Sequence, residues 1–208
     1  MLYLGSGEDH SSAAMNEGNL KRLAVYCGAA MGTDPAHAEL ARRLGTTMAE
    51  QGIALVYGGG HRGLMGVVAD AVLGAGGQAY GVIPQALVDL EVAHTGLTEL
   101  HVVTTMHERK AMMTDLTDAF VAIPGGIGTL DELFEAWSWN ALGYHAKPFA
   151  VLAEDGFWDH LLAFLDRAAA AGFVSQARRE QLLVARSPAE AIRLLAGSVG
   201  ARESQMTW

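Results

Sequence analysis

The feature that most constrains this chain is a glycine-rich turn between an apolar run and a helical pattern. The apolar run covers residues Ala119 to Ile123, and the sequence PGGIGTLDE follows it at residues 124–132. Its closely spaced glycines allow a tight turn and a close approach of the backbone to a ligand. The free N–H groups of the first helical turn then face that ligand, which favours an anion such as phosphate. The turn therefore predicts a phosphate site. It matches neither the P-loop nor the dinucleotide spacing, so it indicates neither ATP nor NAD.

Glu132 lies three residues after Thr129, and this spacing supports two interpretations. T-x-x-E is the spacing of a capping box, in which Thr129 would cap the helix and Glu132 would reach back to its N–H group, for about 1 kcal/mol of helix stability. Alternatively, a carboxylate beside a bound sugar phosphate can orient water or stabilise an oxocarbenium-like centre, as carboxylates do in glycosidic cleavage. The spacing alone leaves both interpretations open.

Apolar runs alternate with helical patterns along the chain, which predicts strands alternating with helices. The predicted strands are Leu23–Cys27, Ile53–Tyr57, Ala79–Ile83, Leu100–Val103, Ala119–Ile123 and Phe149–Leu152. This order predicts an α/β fold: a Rossmann-like, doubly wound parallel sheet that forms a single domain. Ligands of such sheets bind beyond the carboxyl ends of the strands. We therefore expect one site to be built by the loops at Gly28, Gly58, Met106 and Gly125.

The two ends of the chain are expected to lie outside that domain. Residues 1–20 are polar and rich in Gly and Ser, and they lack the basic start and long apolar stretch of a signal peptide. We expect them to form a disordered leader, followed by the domain at residues 21–200 and a tail at residues 201–208.

Composition narrows the class of ligand. The formal net charge of -9 over 208 residues argues against binding to nucleic acid or to an anionic membrane, and favours a small molecule held at a local positive site. A lone Cys27 excludes an internal disulfide, and no apolar run reaches the roughly 18 residues of a membrane span. The histidines show no metal-ligand spacing, so we expect each to be a surface or core residue. These features predict a cytoplasmic protein that uses no metal and no cofactor.

Two further patterns are candidates for the ligand site. The glycines at 58–60 follow the second apolar run and indicate either a tight turn or a ligand contact, and we count Gly59 and Gly60 among the expected substrate contacts. Arg109 and Lys110 stand at the start of a helix, where the helix dipole disfavours cations unless an anion compensates. A solvated charge cluster with the nearby acidic residues is the alternative.

Six stretches of the chain form a recognisable set: MHERKAMM at residues 106–113, DAFVAI at 118–123 and PGGIGTLDE at 124–132, with GGGHRGLMG at 58–66, YCGA at 26–29 and GYHAKPFAVL at 143–152. Together they resemble the Lonely Guy (LOG) family of cytokinin riboside 5′-monophosphate phosphoribohydrolases. The paired motifs P-G-G-x-G-T-x-x-E and an upstream R-K are specific to the family, and the resemblance extends from Leu23 to Val174. Proteins of this family have often been labelled lysine decarboxylases, but no lysine context for pyridoxal binding is recognisable here.

The resemblance implies hydrolysis of the N-glycosidic bond of an N6-modified AMP to a free base and ribose 5-phosphate, with AMP itself as a second candidate substrate. It implies that Arg109 and Glu132 form the catalytic pair and that Glu91 and Lys110 contact substrate. It also implies that the phosphate site is the glycine turn, which comprises Gly125, Gly126, Ile127, Gly128 and Thr129. The chain departs from many relatives at Ala29 and Ala30, where hydroxyl residues are common, so that loop lacks the polar side chains those relatives carry.

The resemblance also implies a homodimer with active sites near the subunit interface. Trp137, Trp139, Leu142 and Tyr144 are candidate interface residues, although a buried core helix explains them equally well. Two other functions remain open. One is a nucleotide-binding or molybdenum-cofactor carrier on the same fold, which would have no chemical need for both Arg109 and Glu132. The other is an enzyme of nucleotide salvage that cleaves unmodified AMP.

Overall fold

The predicted strands lie side by side in a parallel sheet. The computed structural model describes residues 20–90 and 92–206, with side chains as far as residue 201. The strands are β1 (Arg22–Tyr26), β2 (Ala54–Tyr57), β3 (Ala79–Pro84), β4 (Glu99–Val103), β5 (Ala119–Ala122), β6 (Phe149–Leu152) and β7 (Leu182–Ala185). The helices are α1 (Pro35–Glu50), α2 (Gly63–Gly74), α3 (Gln85–Val88), α4 (Met106–Leu116), α5 (Ile127–Ala141), α6 (Asp159–Ala170), α7 (Gln176–Gln181) and α8 (Pro188–Met206).

The order of the strands confirms the predicted Rossmann-like fold. Across the sheet the order is β4-β3-β2-β1-β5-β6-β7, and every neighbouring pair is parallel. The chain therefore winds outward from β1 in one direction, returns to the centre, and continues from β5 in the other direction. The reversal lies between β1 and β5, and in open sheets of this kind ligands bind in the crevice at that position.

Both faces of the sheet are covered by helices, because successive side chains of a strand point to opposite faces. In β1, Leu23 and Val25 pack in a core with α1, α2 and α8, whereas Ala24 and Tyr26 pack in a second core with α4, α5 and α6. This burial on both faces explains why the strands appear in the sequence as nearly continuous apolar runs. Among the described helices, none combines the length and the apolar character needed to cross a lipid bilayer.

Some elements and boundaries differ from the sequence predictions. The short helices α3 and α7 and the strand β7 are not predicted. Strand β7 has only four residues and follows α7 without a turn residue to mark its start. Leu20 is 2% exposed and packs in the core, so the predicted leader is too long at that end. Helix α8 continues past residue 200 to Met206. The remaining leader residues, 1–19, lie outside the described part of the chain.

Candidate active site

A cleft of about 850 Å³ opens at the carboxyl edge of the sheet, where the loops after β1 and β5 lie side by side. Its walls come from the loops at residues 27–33, 58–62 and 124–126, with further residues from β3, α3, α4 and the first turns of α5. A volume of this size lies within the range of pockets that enclose small organic ligands. The loops at Gly28, Gly58 and Gly125, which are three of the four loops expected to build one site, therefore line this cleft. The fourth loop, at Met106, does not line it, but the helix that begins there, α4, contributes Arg109.

Close backbone contacts hold the three loops of the cleft against one another. The N–H group of Leu64, at the start of α2, donates to the carbonyl of Gly28 at 3.0 Å, and the N–H group of Gly28 donates to the carbonyl of Pro124 at 3.1 Å. A Cβ atom at Gly63 would overlap the backbone of Ala29 and Ala30. The start of α2, the β1–α1 loop and the glycine turn therefore form one continuous wall.

The glycine turn leads directly into the first turn of α5. Gly126 is the N-cap residue, and the first intrahelical bond runs from Leu130 N–H to the Gly126 carbonyl, at 3.1 Å. The earlier N–H groups of the helix therefore have no intrahelical partner, and Gly128 and Thr129 line the cleft. A Cβ atom at Gly125 would overlap the Thr129 hydroxyl, so this position requires glycine. The turn has the chemistry of an anion site.

The capping-box interpretation of Thr129 and Glu132 is wrong. Helix α5 begins at Ile127, so Thr129 is already its third residue and cannot be its cap; its side chain is buried. A capping box is found instead at the start of α4. There the Thr105 hydroxyl accepts from Glu108 N–H at 3.1 Å, and the Glu108 carboxylate accepts from Thr105 N–H at 3.3 Å. Glu132 is thus available for another role.

Arg109 and Glu132 form a largely buried ion pair on the wall of the cleft. The Arg109 Nη1 lies 3.3 Å from the Glu132 Oε1, and the two side chains are 9% and 12% exposed. The Arg109 Nε donates to the carbonyl of Val82 at 3.1 Å, which fixes the guanidinium from a second side. A third side is closed by Gly58, where a Cβ atom would overlap the Arg109 Nη2. Position 58 therefore requires glycine, because the guanidinium lies directly against its backbone.

Two opposed influences act on the pKa of the Glu132 carboxyl. Burial raises the pKa of the Glu132 carboxyl above the usual glutamate range, and the positive charge of Arg109 works against that rise. A perturbed carboxyl that lines a cleft beside a fixed cation is a candidate for chemistry, because such a group can be tuned to exchange protons or to stabilise charge on a ligand.

Lys110 does not share the environment of Arg109. Its Nζ lies 2.9 Å from the Asp131 Oδ2 and 3.2 Å from the Glu135 Oε2, so it ties α4 to α5 outside the cleft. Burial lowers the pKa of Lys110, but its hydrogen bonds to the two carboxylates outweigh that influence and leave the pKa raised. The alternative of a solvated cluster with the nearby acidic residues does not describe Lys110, because its partners lie on another helix, α5.

The remaining predicted contacts are divided between the cleft and its surroundings. Gly60 lines the cleft, whereas Gly59 does not. Gly59 has a positive φ of 73° and packs beside Ile83 and Leu100, which is the packing of a tight turn. The side chain of Ile127 is 86% exposed and does not line the cleft. Glu91 lies outside the described residues.

The cleft wall also includes residues that are not predicted from the sequence, among them Arg62, His37 and Phe157. Arg62 lies within the GGGHRGLMG stretch, so its position beside these glycines is the sequence signal that could have placed it at the site. His37, expected to be a surface or core residue, instead lines the cleft, and its Nε2 lies 3.1 Å from the Asp155 Oδ2. Its ring meets Phe157 edge to face, with centroids 5.5 Å apart. No sequence pattern pairs these three residues, which come from distant elements.

A cysteine nucleophile and a protein-bound metal ion would each require particular residues in a particular environment. Cys27 lines the cleft, but burial and the nearby charge of Glu132 raise the pKa of its thiol, so it stays protonated and is a poor nucleophile. Within residues 20–90 and 92–201, no group of three or more His, Cys, Asp or Glu side chains is placed to hold a metal ion.

Comparisons with known proteins show which family the chain resembles in sequence. A family model described as possible lysine decarboxylase matches residues 65–195. A cytokinin riboside 5′-monophosphate phosphoribohydrolase of Rhodococcoides fascians is 45% identical over 165 residues, which cover 79% of this chain and 83% of that protein. The cytokinin riboside 5′-monophosphate phosphoribohydrolase LOG of Oryza sativa subsp. japonica is 43% identical over 188 residues, which cover 90% of this chain and 78% of that protein.

The solved structures that resemble the chain are more distant in sequence. The molybdenum cofactor binding protein from the phototrophic bacterium Rippkaea orientalis superimposes with a TM-score of 0.66 at 22% identity, covering 86% of this chain and 96% of that one. At this level of identity, the similarity shows a common fold and carries no information about function.

The opposed influences on Glu132 give a testable prediction. We expect the Glu132 carboxyl to titrate above the usual glutamate range, and Arg109→Gln to raise its pKa further because the opposing positive charge is removed. Carbon-detected NMR of glutamate carboxyl groups across a pH series would measure this pKa, with Glu132→Gln identifying the resonance. Lys110→Gln is the matched control and should produce a smaller rise, since Lys110 acts on Glu132 more weakly than Arg109 does. Equal rises in the two variants would contradict a direct Arg109–Glu132 pairing.

Proposed function

The chain belongs to the cytokinin riboside 5′-monophosphate phosphoribohydrolase (LOG) family, and on that premise we propose that it hydrolyses the N-glycosidic bond of N6-modified AMP. The products are a free cytokinin base and ribose 5-phosphate. Relatives that carry this name are 40 to 45% identical to the chain over most of its length. The enzyme is accordingly an N-glycosyl hydrolase.

The observation that carries the proposal is the position of the Arg109–Glu132 pair beside the glycine turn. The cleft brings together a carboxylate, a guanidinium held in place by Val82 and Gly58, and the first-turn N–H groups of α5. A nucleoside monophosphate needs a counterpart for its phosphate and a charged group near the sugar. These residues can supply both within one cavity.

The reaction assigns chemical tasks to the cleft residues. Water adds to C1′ of the ribose, the C1′–N bond breaks, and its electron pair leaves with the base, which takes up a proton. In our proposal the Glu132 carboxylate stabilises the positive charge that develops at C1′ or accepts a proton from the attacking water. Arg109 holds Glu132 in place and neutralises negative charge on the phosphate or the departing base. The glycine turn binds the phosphate and aligns C1′ with Glu132.

The arrangement of lysines argues against the decarboxylase in the family description. An enzyme that forms a Schiff base needs a lysine amine in its site. The lysines of the chain are Lys21, Lys110 and Lys147, and none of them lines the cleft. Lys110 is held by Asp131 and Glu135, and the Lys147 Nζ donates to the Thr114 carbonyl at 2.5 Å.

Unmodified AMP is a second proposed substrate, because the groups assigned to the reaction act on the phosphate and the ribose, which both nucleotides share. The carrier alternative has weaker support. The solved molybdenum cofactor protein shares the fold at 22% identity, whereas the named hydrolases are far closer in sequence. A protein that binds a nucleotide without turnover would also gain nothing from burying an arginine against a carboxylate in its cleft.

The proposed partner is a nucleoside monophosphate and not a nucleic acid, in keeping with the formal net charge of -9. Since nucleoside monophosphates are intracellular metabolites, we place the activity in the cytoplasm.

We also propose that the chain forms a homodimer through an apolar patch next to the cleft. The patch consists of Met106, His107, Trp139, Leu142 and Tyr144. Leu142 and Tyr144 are 71% and 75% exposed, and Trp139 contacts His107 and Tyr144 edge to face. Trp137, another candidate, is buried in the core. Exposed aromatic and aliphatic side chains that form one surface are typical of subunit interfaces.

The position of the patch connects it to the site. Met106 is the first residue of α4, and its sulfur lies 3.9 Å from the Arg109 Nη1. A second copy seated on the patch would thus border the cleft, as the resemblance to the family leads us to expect.

The dimer proposal predicts the effect of charge on the patch. Leu142→Glu and Tyr144→Glu should convert a dimer to monomers, because a buried unpaired carboxylate is costly at an interface. Light scattering coupled to gel filtration would measure the mass. Phe173→Glu is the matched control, since Phe173 is 88% exposed but does not belong to the patch. A wild-type mass of one subunit would refute the proposal, as would a dimer that both patch variants leave intact.

The catalytic pair is tested by analysing the products of purified protein given AMP and isopentenyl-AMP, with free base resolved from nucleotide. We expect Glu132→Gln and Arg109→Ala each to lower base release by at least ~100-fold, the scale of losing one group that stabilises a transition state. Glu135→Gln and Lys110→Ala are the matched controls, because they remove similar charges from α5 and α4 outside the cleft. Their effects should be much milder.

Two outcomes would count against these assignments. Near-normal turnover in Glu132→Gln, with only a lower melting temperature, would show that the carboxylate serves stability alone. Small and equal effects of Arg109→Ala and Lys110→Ala would show that the two cations form a general electrostatic patch.

A further inference from the structure

Arg62 is a cation of the cleft wall to which the proposed reaction assigns no task. It is the N-cap residue of α2, its side chain is exposed, and it lines the cleft. Within residues 20–90 and 92–201, no side chain lies within ion-pair or hydrogen-bond distance of its guanidinium. Its positive charge is therefore not offset by any described neighbour.

The other cations near the cleft already have partners. The charge of Arg109 faces Glu132, and Lys110 is held by Asp131 and Glu135 outside the cleft. A monophosphate ester carries a charge of about -1.5 to -2 near neutral pH. The first turn of α5 can offer N–H groups and a partial positive charge, but not a full one. Among the described residues, Arg62 is thus the cleft arginine whose charge faces no acidic side chain, so it can add a full positive charge for an anionic ligand beside the one that Arg109 shares with Glu132.

The position of Arg62 suits that task. The following residue, Gly63, lies against the backbone of Ala29 and Ala30. Hydrogen bonds then join Leu64 to Gly28 and Gly28 to Pro124, at the start of the glycine turn. Arg62 therefore stands on the same wall as the glycine turn, separated from it by the β1–α1 loop. Ala29 and Ala30 offer no side-chain donor on this part of the wall, so a long side chain from Arg62 can extend across it to a bound phosphate.

We propose that Arg62 binds the 5′-phosphate of the substrate together with the glycine turn. This inference rests on the proposed function and adds a binding residue to it. A guanidinium can present two parallel N–H donors to two phosphate oxygens, which a lysine ammonium cannot do. In our proposal the glycine turn alone keeps the phosphate, and with it C1′, aligned when Arg62 is absent, so the Arg62 contact adds affinity that is equally strong in the ground state and the transition state. Arg62 therefore sets KM and contributes little to kcat.

Binding of ribose 5-phosphate to the wild-type protein and to Arg62→Ala tests the proposal without requiring turnover. Isothermal titration calorimetry should show a dissociation constant at least ~10-fold higher in Arg62→Ala, the loss typical of a hydrogen bond to a charged group. Arg62→Lys should fall between the two because it keeps the charge and loses the paired donors. Arg193→Ala is the matched control, since Arg193 is an exposed arginine of α8 that does not line the cleft.

Steady-state kinetics with AMP or isopentenyl-AMP provides the second readout. The ratio kcat/KM should fall in Arg62→Ala through a higher KM, with kcat within about 2-fold of wild type. Circular dichroism should show the fold intact, as expected for an exposed residue, and Arg62→Gln offers a second neutral variant if the alanine variant fails to fold.

The outcomes separate this proposal from the proposed function. Equal affinity of wild type and Arg62→Ala for ribose 5-phosphate would overturn the assignment of Arg62, even if base release is observed. A loss of kcat at constant KM would overturn it as well. Conversely, weaker binding of ribose 5-phosphate by Arg62→Ala would support a phosphate contact even if the wild type released no base, in which case only the proposed function would fail.

Discussion

The buried contact between Arg109 and Glu132 is the interaction on which the organisation of the cleft depends. It joins α4 to α5 across the carboxyl edge of the sheet, fixes the guanidinium against the Val82 carbonyl, and requires glycine at position 58. Buried ion pairs seldom add net stability, because the cost of removing both charges from water offsets their attraction. A chain that buries this pair beside an anion-binding turn is better explained by chemistry at the site than by stability of the fold.

The fold could be predicted because parallel strands covered on both faces are nearly continuous apolar runs in the sequence. Strand β5 and the glycine turn after it are the clearest example, since the turn residues mark where the strand ends and the helix begins. Strand β7 was missed because four apolar residues directly after a polar helix carry no such mark. Spacing in the sequence does not fix where a helix starts. Thr129 and Glu132 have capping-box spacing, yet Gly126 caps α5, and the capping box forms at Thr105 and Glu108.

The site could be predicted only where its residues belong to one local motif. Arg109 and Lys110 are adjacent in sequence, but neighbouring residues on a helix point about 100° apart, so adjacency alone does not place both side chains in the same site. Helix geometry could have separated them, although which of the two turns into the cleft depends on how α4 packs against α5. Arg62 and His37 reach the cleft wall through the stacking of separate loops. That convergence is a tertiary property which no spacing in the sequence encodes.

The central claim is that the glycine turn holds a 5′-phosphate and thereby aligns the ribose with Glu132. The most direct measurement compares turnover of isopentenyladenosine 5′-monophosphate with turnover of isopentenyladenosine, both at saturating concentrations where these can be reached. Because a distant phosphate contact can help to align the reacting carbon, its removal should lower kcat as well as affinity, and the riboside should be nearly inert. Comparable turnover of the two compounds would contradict the assignment of the glycine turn and, with it, the proposed function.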